Sequence, residues 1–432
     1  MTVDLRRLLA AGLALTLCAS SLAAAAQDEA VTAWVREQLV PIATLAPSAP
    51  TDDLQFLRGT IGDARIVALG ESTHGTEEFF RLKHRLIRFL VQELGFTAVC
   101  MEASWIEGLK FDAQVLRGSP SEGTGRALFG VYTSVSQMHY WMGAYNKAAG
   151  PEGPLHVIGF DPQTMSSPLE EVVRYIDRAG VVIPSSLRIS ATAIIPDLIA
   201  EIAASEEPLQ TDVDRCEQAI GRVREFLLAN RDACSDASSR EDFERTLQTI
   251  KVSSQQLASA AHPRVTYGSF NVRDKAMAEN IAWWLDHFGE DARIVVWAHN
   301  LHIGIRNENG LTSMGWHLRE WFGEDYLAIG LTFAEGSVRA VDGKSWETKE
   351  VELEPPTANS FERALQSSPE PYFVLDLRDP SLESDELGWL SASRSFRSIG
   401  AIYWRSSQWR TTNVPSVFDA LFHTQQASAA RI

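Results

Sequence analysis

The sequence predicts an α/β fold in which helices cover both faces of a mostly parallel β-sheet. Short apolar runs rich in β-branched residues alternate with longer segments of helical periodicity. The runs contain few polar residues, which is typical of strands buried on both faces. Of the 432 residues, 45% are hydrophobic, enough for a large core. The predicted strands are Arg65–Leu69, Thr97–Met101, Leu155–Phe160, Arg293–Trp297, Tyr326–Leu331, Tyr372–Leu375 and Ile399–Trp404.

Two segments between these runs have the spacing of amphipathic helices. Thr76–Leu94 carries apolar residues at every third or fourth position, so that a strand, a helix and a strand follow one another. Asn271–Phe288, with Met277 and Ile281 on one side, predicts a second helix that leads into the Arg293–Trp297 strand.

From about Ser166 to His262 the strand pattern disappears and the chain becomes helical and polar. The predicted helices there are Glu170–Ala179, Ile195–Ser205, Asp212–Ala229 and Arg240–Ala261. We predict that residues 166–262 are an inserted helical subdomain covering a cleft, and that residues 27–165 and 263–432 form the α/β catalytic core. The last residues, Gln425–Ile432, are predicted to be a frayed tail.

The N-terminus has the pattern of a secretory signal peptide. Arg6 and Arg7 precede an apolar run that is too short for a stable membrane span, and small residues end at Ala26. We therefore expect residues 1–26 to be removed and the protein to be periplasmic or secreted. In such a compartment Cys216 and Cys234 could pair, and the sequence leaves this open.

The formal net charge is −17. An acidic surface repels nucleic acid and anionic membranes, and it favours neutral or cationic ligands. We expect a small-molecule substrate, no nucleic-acid partner and no cofactor. Dinucleotide binding in particular has no support, since no Gly-x-Gly-x-x-Gly follows a predicted strand.

Polar residues follow four of the predicted strands. In open α/β sheets ligands bind at the carboxyl ends of the strands, so these residues are candidates for one common site. The four groups are Glu71 to His74, Glu102 to Ser104, Asp161, and His299 to His302.

Histidine suits general base catalysis because both of its protonation states are accessible near neutral pH. We predict His74 as the base, with Glu71 and Glu102 as the carboxylates that orient it. His299 could donate a proton to a leaving oxygen or stabilise an oxyanion, and Arg273 would add a fixed positive charge. His302 and Asp161 are candidate substrate-binding residues, although Asp161 could cap a loop instead.

Other hydrolase signatures are absent from the sequence. There is no Gly-x-Ser-x-Gly elbow and no His-Glu-x-x-His helix. A metal site remains an alternative, because the same histidines and glutamates are suitable zinc ligands.

Several motifs resemble the erythromycin esterase family. They are Leu69-Gly70-Glu71-Ser72-Thr73-His74-Gly75-Thr76-Glu77-Glu78-Phe79-Phe80, Leu94-Gly95-Phe96 leading to Glu102, Arg273-Asp274-Lys275-Ala276-Met277-Ala278-Glu279-Asn280, and Trp297-Ala298-His299-Asn300-Leu301-His302. The resemblance covers about residues 65 to 335.

This resemblance implies hydrolysis of a macrolide lactone by histidine-activated water, without a required metal. It implies that His74 is the general base and that Glu71 and Glu102 are active-site carboxylates. His299, His302 and Arg273 match further site positions. Lys83, a candidate substrate-binding residue, stands where members active on macrolides often have arginine. Because lysine cannot make the planar forked contact of arginine, the resemblance leaves the choice of substrate open.

Two other classes of function stay open at this point. A wider group of relatives includes metal-dependent peptidases, so the same cluster could hold a metal. The group also includes a haem-binding lipoprotein, so the chain could instead bind an apolar ligand without turnover, with Trp105, Trp141 and Trp316 lining a pocket.

Overall fold

The computed structural model describes residues 29–120, 129–149, 153–163, 167–262, 267–308 and 310–432. The predicted signal peptide, residues 1–26, lies outside this range. Within it, no helix is both long enough and apolar enough to cross a membrane. The chain divides into two compact units. Unit one comprises Met1–Leu45, Glu71–Glu78 and Ile329–Ala429, and unit two comprises Ala46–Gly70, Phe79–Ala328 and Ala430–Ile432.

The strands are β1 (Val40–Pro41), β2 (Ile66–Leu69), β3 (Ala98–Ser104), β4 (His156–Asp161), β5 (Ile294–Trp297), β6 (Tyr326–Asp342), β7 (Thr348–Leu353), β8 (Tyr372–Asp376), β9 (Arg394–Arg397), β10 (Ile402–Tyr403), β11 (Trp409–Thr412) and β12 (Ala420–Ala427). The longer α-helices are α1 (Glu77–Leu94), α2 (Trp105–Leu116), α3 (Thr133–Ala149), α4 (Pro168–Arg178), α5 (Ile195–Ala204), α6 (Gln210–Ala229), α7 (Arg240–Ala260), α8 (Tyr267–Phe288) and α9 (Met314–Phe322). Short α-helices span Leu57–Ile61, Ser185–Ile189, Arg231–Asp236, Asn300–Ile303, Phe361–Leu365, Gly388–Ser391 and Val414–Val417.

Unit two contains a parallel sheet in the order β2-β5-β3-β4. Leu69 and Met101 both pair with Trp297, so β2 and β5 end at the same level and β3 continues to Ser104 beyond it. Every residue of β2 and β5 is buried. Because successive side chains of a strand point to opposite faces, both faces of this sheet are covered. The α/β fold predicted from the sequence is therefore confirmed.

Two helices show how closely the sheet of unit two is covered. On α1, the Phe80 ring lies 5.7 Å from the Trp297 ring of β5. On α2, a β-carbon at Gly108 would lie 2.0 Å from the backbone nitrogen of Gly159. Only glycine at position 108 allows α2 to lie this close to β4.

The described residues between 167 and 262 are helical and have a hydrophobic cluster of their own. Its buried members run from Leu169 to Leu257 and include the free thiols Cys216 and Cys234. This segment belongs to unit two. Its helix α7 contacts other parts of that unit, since Trp105 Nε1 donates to Thr249 Oγ1 at 3.0 Å. That residues 166–262 are an inserted subdomain over a cleft stays a prediction.

The sheet of unit one is mixed, in the order β1-β8-β12-β6. Strand β12 is parallel to β6 and antiparallel to β8, and β1 is antiparallel to β8. The last part of β6 also pairs with β7 and β10. A separate antiparallel pair is formed by β9 and β11. The predicted strand at Ile399–Trp404 is thus limited to the two residues of β10, and β6 is much longer than predicted.

The prediction of a frayed tail from Gln425 was wrong. The segment up to Ala427 belongs to β12, which pairs with β6 as far as Gly336. Its polar side chains are satisfied by neighbours, because Gln425 Nε2 donates to the carbonyl oxygens of Leu365 and Ser368, both at 3.1 Å. Hydrogen bonding of this kind removes the cost of burying polar residues in a strand.

Candidate active site

In unit one, Glu71 and His74 form a close pair. The Nδ1 atom of His74 lies 2.6 Å from Oε1 of Glu71. The Glu71 side chain is fully buried, whereas that of His74 is 17% exposed. A carboxylate at Nδ1 holds the proton there, so the Nε2 lone pair of the neutral ring is the one that can accept a proton. The structure therefore brings together the two residues that the sequence pairs, and the role of His74 as a base stays a prediction.

The loop that carries His74 is fixed through its backbone. The amide of Ile399 donates to the carbonyl of Ser72 at 2.8 Å, and the amide of Arg339 donates to the carbonyl of Gly75 at 2.9 Å. A β-carbon at Gly75 would lie only 1.9 Å from the Arg339 carbonyl oxygen. Glycine is required at position 75 for this close approach, which sets the position of the neighbouring imidazole.

Unit two contains a buried cluster of charged groups around Arg273 of α8. Its Nη2 and Nε atoms donate to the two carboxylate oxygens of Asp161, at 2.5 Å and 3.1 Å. Nη2 also donates to Oε1 of Glu102 at 3.1 Å. Burial opposes the charge of the guanidinium, but Asp161 and Glu102 raise the pKa of Arg273 above its usual range. The structure thus joins three residues that the sequence analysis took from separate elements.

His302 is held between two carboxylates of the same cluster. Its Nδ1 lies 2.9 Å from both oxygens of Asp274, and its Nε2 lies 3.2 Å from Oε1 of Glu102. Burial by itself lowers the pKa of an imidazole, but Asp274 and Glu102 outweigh it and raise the pKa of His302 to about 10. His302 is therefore a fixed cation at neutral pH rather than a group that exchanges protons.

His299 follows β5 and is connected to the cluster through its backbone. Its amide donates to Oε2 of Glu102 at 2.8 Å, and its own Nδ1 accepts from the amide of Leu301 at 3.1 Å. Because Nδ1 is an acceptor in this cap, the proton of the neutral ring is on Nε2. His299 can accordingly donate a hydrogen bond through Nε2–H, and its predicted part in catalysis stays a prediction.

The remaining predicted residue, Lys83, lies on α1. It is fully buried, and its Nζ is 4.3 Å from the centroid of the Trp297 ring. This is a cation–π contact. Its predicted part in binding substrate stays a prediction.

Asp274 is a site residue that the sequence analysis missed. It is fully buried, contacts His302, and accepts a hydrogen bond from the amide of Met314 at 2.8 Å. A signal for it was present, since Asp274 is spaced three and seven residues from Met277 and Ile281. An acidic residue on the apolar face of a predicted helix needs a partner.

Among the described residues, no group of three histidine, cysteine or acidic side chains has the arrangement of a metal site. The acidic groups of the cluster instead face Arg273 and His302 at hydrogen-bond distance.

The family model for erythromycin esterases matches residues 91–427, which is most of the chain. The chain belongs to the erythromycin esterase family. It is 28% identical over 358 residues to erythromycin esterase type II of Escherichia coli, covering 77% of this chain and 85% of that protein. It is 23% identical over 415 residues to the putative hydrolase YbfO of Bacillus subtilis, covering 91% and 90%. Membership of the erythromycin esterase family supports a hydrolase activity.

A solved structure has a similar fold. It is a mutant of the erythromycin esterase EreC in its open conformation, with a TM-score of 0.69 and 19% identity, covering 91% of this chain and 98% of that one. The segment matched by the family model includes Glu102, Arg273, His299 and His302, whereas Glu71 and His74 precede it.

Proposed function

We propose that this erythromycin esterase family protein opens a cyclic ester, a macrolide lactone or a similar compound, using water activated by His74 without a metal. The observation that carries the proposal is the Glu71–His74 pair, with 2.6 Å between Oε1 and Nδ1. An imidazole oriented through Nδ1 by a buried carboxylate presents Nε2 to a water molecule, which is the arrangement that a general base requires.

In the proposed reaction His74 Nε2 takes a proton from water while the water oxygen attacks the ester carbonyl carbon. The carbon–oxygen bond of the lactone then breaks, and the leaving alkoxide receives the proton that His74 took from water, which regenerates the base. The product is a hydroxy acid that contains one water molecule more than the lactone. His299, through Nε2–H, is the proposed hydrogen-bond donor that stabilises the developing oxyanion or the leaving oxygen.

The proposal gives the cluster of unit two an electrostatic role in the same reaction. Arg273 and His302 are cations whose positions are fixed by Asp161, Glu102 and Asp274. Fixed charges need no reorganisation when negative charge develops on the substrate, and this lowers the barrier. In this proposal Glu102 holds Arg273 and His302 in position, and Glu71 is the carboxylate that orients the base.

A substrate screen tests this function. Purified protein is incubated with a panel of macrolides and simple lactones in the presence of a chelator, and the products are analysed by mass spectrometry for the gain of one water. We expect hydrolysis of at least one lactone with the chelator present. Failure to open any lactone by folded protein rejects the esterase proposal.

Two further measurements separate the alternative classes of function. Stoichiometric zinc, manganese or cobalt in protein purified without a histidine tag, with activity lost on chelation and restored by metal, would establish a metallohydrolase. Binding of an apolar ligand without turnover, unchanged in His74→Ala, would establish a binding protein.

We also propose that residues 1–26 direct export, so that the enzyme acts in the periplasm or outside the cell. Fractionation of cells producing the full chain, with sequencing of the mature N-terminus, tests this. A cytoplasmic protein that keeps its first residues would contradict it.

A further inference from the structure

A large cavity lies within unit two, between the helical segment and α8. Its volume is about 720 Å³, and its walls come from α4, α5, α7 and α8. This volume falls in the range of roughly 300–1,000 Å³ that is typical of sites for drug-sized ligands. The cavity is thus large enough for a substantial part of a substrate.

The cavity adjoins the charged cluster. Arg273 lines the cavity and also binds Asp161 and Glu102. Phe270 lines it as well, and its ring stacks on His302 with a centroid distance of 4.9 Å and an interplanar angle of 7°. A ligand in the cavity would therefore have one end beside the cations to which the proposed function gives an electrostatic role.

The chemistry of the walls indicates what kind of group fits. Leu169, Ile195 and Ile199 are buried apolar residues of the lining, and Ser253 and Ser259 add hydroxyl groups. Among the described residues that line the cavity, Arg273 and His262 are the ionisable ones, and no carboxylate is present. An amine would gain no acidic partner in these walls, whereas apolar carbon would be removed from water.

We propose that this cavity is the specificity pocket of the enzyme and binds a neutral, apolar part of the ester substrate. The inference rests on the proposed esterase function and adds the class of substrate. It assigns the selection of substrate to the helical segment, whose α5 forms one wall. Although the whole protein is acidic, the group bound in the pocket is uncharged.

Ala200 of α5 allows a direct test. It lines the cavity and is exposed, so a larger side chain there narrows the space without entering the hydrophobic cluster. Ala200→Trp and the smaller Ala200→Leu are compared with Ala233→Trp. Ala233 is an exposed alanine in the short helix Arg231–Asp236 of the same helical segment, and it is not among the residues that line the cavity. Thermal unfolding of all three variants checks that they fold.

The probes are δ-hexalactone, δ-octalactone and δ-decalactone, together with any macrolide that the wild type opens. If alkyl groups enter the pocket, kcat/KM of the wild type rises by about fourfold per methylene at most, which corresponds to full burial of each group. We expect Ala200→Trp to lose at least tenfold in kcat/KM on the largest substrate, mainly through KM, and to retain the rate on the smallest. Ala200→Leu should lose less, and Ala233→Trp should behave like the wild type. A δ-lactone whose alkyl chain ends in an amine should gain little from its chain length.

The outcomes separate the two proposals. A wild type that opens no lactone rejects the esterase function itself. Two results reject the pocket and leave the esterase function intact. One is a wild type that opens lactones with no size preference. The other is a size preference that is kept in both Ala200→Trp and Ala233→Trp, or lost in both. A stronger reaction with the amine-bearing lactone would reject the neutral substrate class.

Discussion

The Glu71–His74 pair and the cluster around Arg273 are both built from imidazoles and carboxylates, yet they differ in the burial of the imidazole ring. His74 has a buried carboxylate at Nδ1 and remains partly exposed. His302 has carboxylates at both ring nitrogens and is buried. A carboxylate at Nδ1 orients the ring of His74, whereas carboxylates at both nitrogens of the buried His302 hold its proton in place.

The difference also explains why two kinds of chemistry can be assigned to the same residue type. A base must lose and regain a proton near neutral pH, so His302 with a pKa of about 10 is unsuited to the task. A fixed cation must keep its proton, so a single partner at the surface would not suffice. The comparison predicts that substitutions at His74 remove proton transfer, and that substitutions in the cluster weaken the stabilisation of negative charge on the substrate.

The largest expected effect comes from removing the base. His74→Ala should lower kcat/KM for lactone hydrolysis by about 10²- to 10⁴-fold, the usual contribution of general acid–base catalysis. Steady-state kinetics of the variant and of His317→Ala, a histidine outside the proposed machinery, measure it. A normal rate in His74→Ala would remove this ring from the mechanism.

A smaller loss is expected when the base is displaced rather than removed. In Gly75→Ala the new β-carbon would meet the Arg339 carbonyl, so the loop has to shift and His74 moves with it. A displacement of about 1 Å can cost on the order of 10²-fold in rate. The measured quantity is kcat at saturating substrate.

Gly221→Ala is the matched control for this loop variant. Gly221 lies within α6, and its added β-carbon would have no neighbour within 4 Å. Relief of backbone entropy should stabilise that variant by about 0.5–1 kcal/mol without altering kcat. If both glycine variants kept wild-type kcat, the fixed loop geometry would be irrelevant to catalysis.

The sequence predicted the sheet of unit two closely because its strands are short, apolar and separated by helices with clear periodicity. It missed most of the mixed sheet of unit one. In β12 the apolar run at Leu421 and Phe422 is followed by Thr424 and Gln425, which look like surface residues. Their polar groups find partners only in the folded chain, as Gln425 does with Leu365 and Ser368. A pattern along one segment carries no information about such distant acceptors.

In the candidate site too, the sequence predicted local pairings but not contacts between distant residues. Glu71 and His74 are three residues apart, so their pairing could be inferred from the chain alone. Most members of the cluster could be named from the sequence, because all of them except Arg273 follow predicted strands, but their partners could not. Asp274 lies on a helix and was overlooked, although it is the closest carboxylate partner of His302. The position of a residue in the sequence indicates which edge of the sheet it reaches, but the hydrogen-bond partners it meets in the folded chain decide whether it is charged.

Arg273→Lys tests whether the cluster supplies more than a positive charge. Lysine keeps the charge but cannot make the forked contact with Asp161 and also reach Glu102. Loss of hydrogen bonds between charged groups at about 1.5–3 kcal/mol corresponds to a fall in kcat/KM of roughly 10- to 100-fold. Arg240→Lys, on the exposed face of α7, is the control and should have no effect.

Combining Arg273→Lys with His74→Ala sharpens the comparison. If the two regions act on one transition state, the double variant should lose less than the product of the single losses. Strict multiplication of the two effects would mean that they contribute to independent steps.

The smallest effect at neutral pH, and the most specific one, is expected for Asp274→Asn. The groups that face His302 are Asp274 and Arg273 from α8 and Glu102 from β3. In the wild type the imidazolium persists up to a pKa of about 10, so His302 adds no limb to the rate profile between pH 6 and 9. Asparagine keeps the shape but removes one of the two negative charges, so the pKa of His302 falls.

The protonated ring is the proposed active form, so Asp274→Asn should keep most of its activity at pH 6. It should then lose activity as the pH rises through the lowered pKa. A kcat/KM profile from pH 6 to 9, compared with the wild type, detects the new limb, and NMR titration of the ring verifies that His302 causes it. A variant whose rate falls equally at every pH would mean that Asp274 only supports the fold. The same profile as the wild type would mean that Glu102 alone keeps His302 charged.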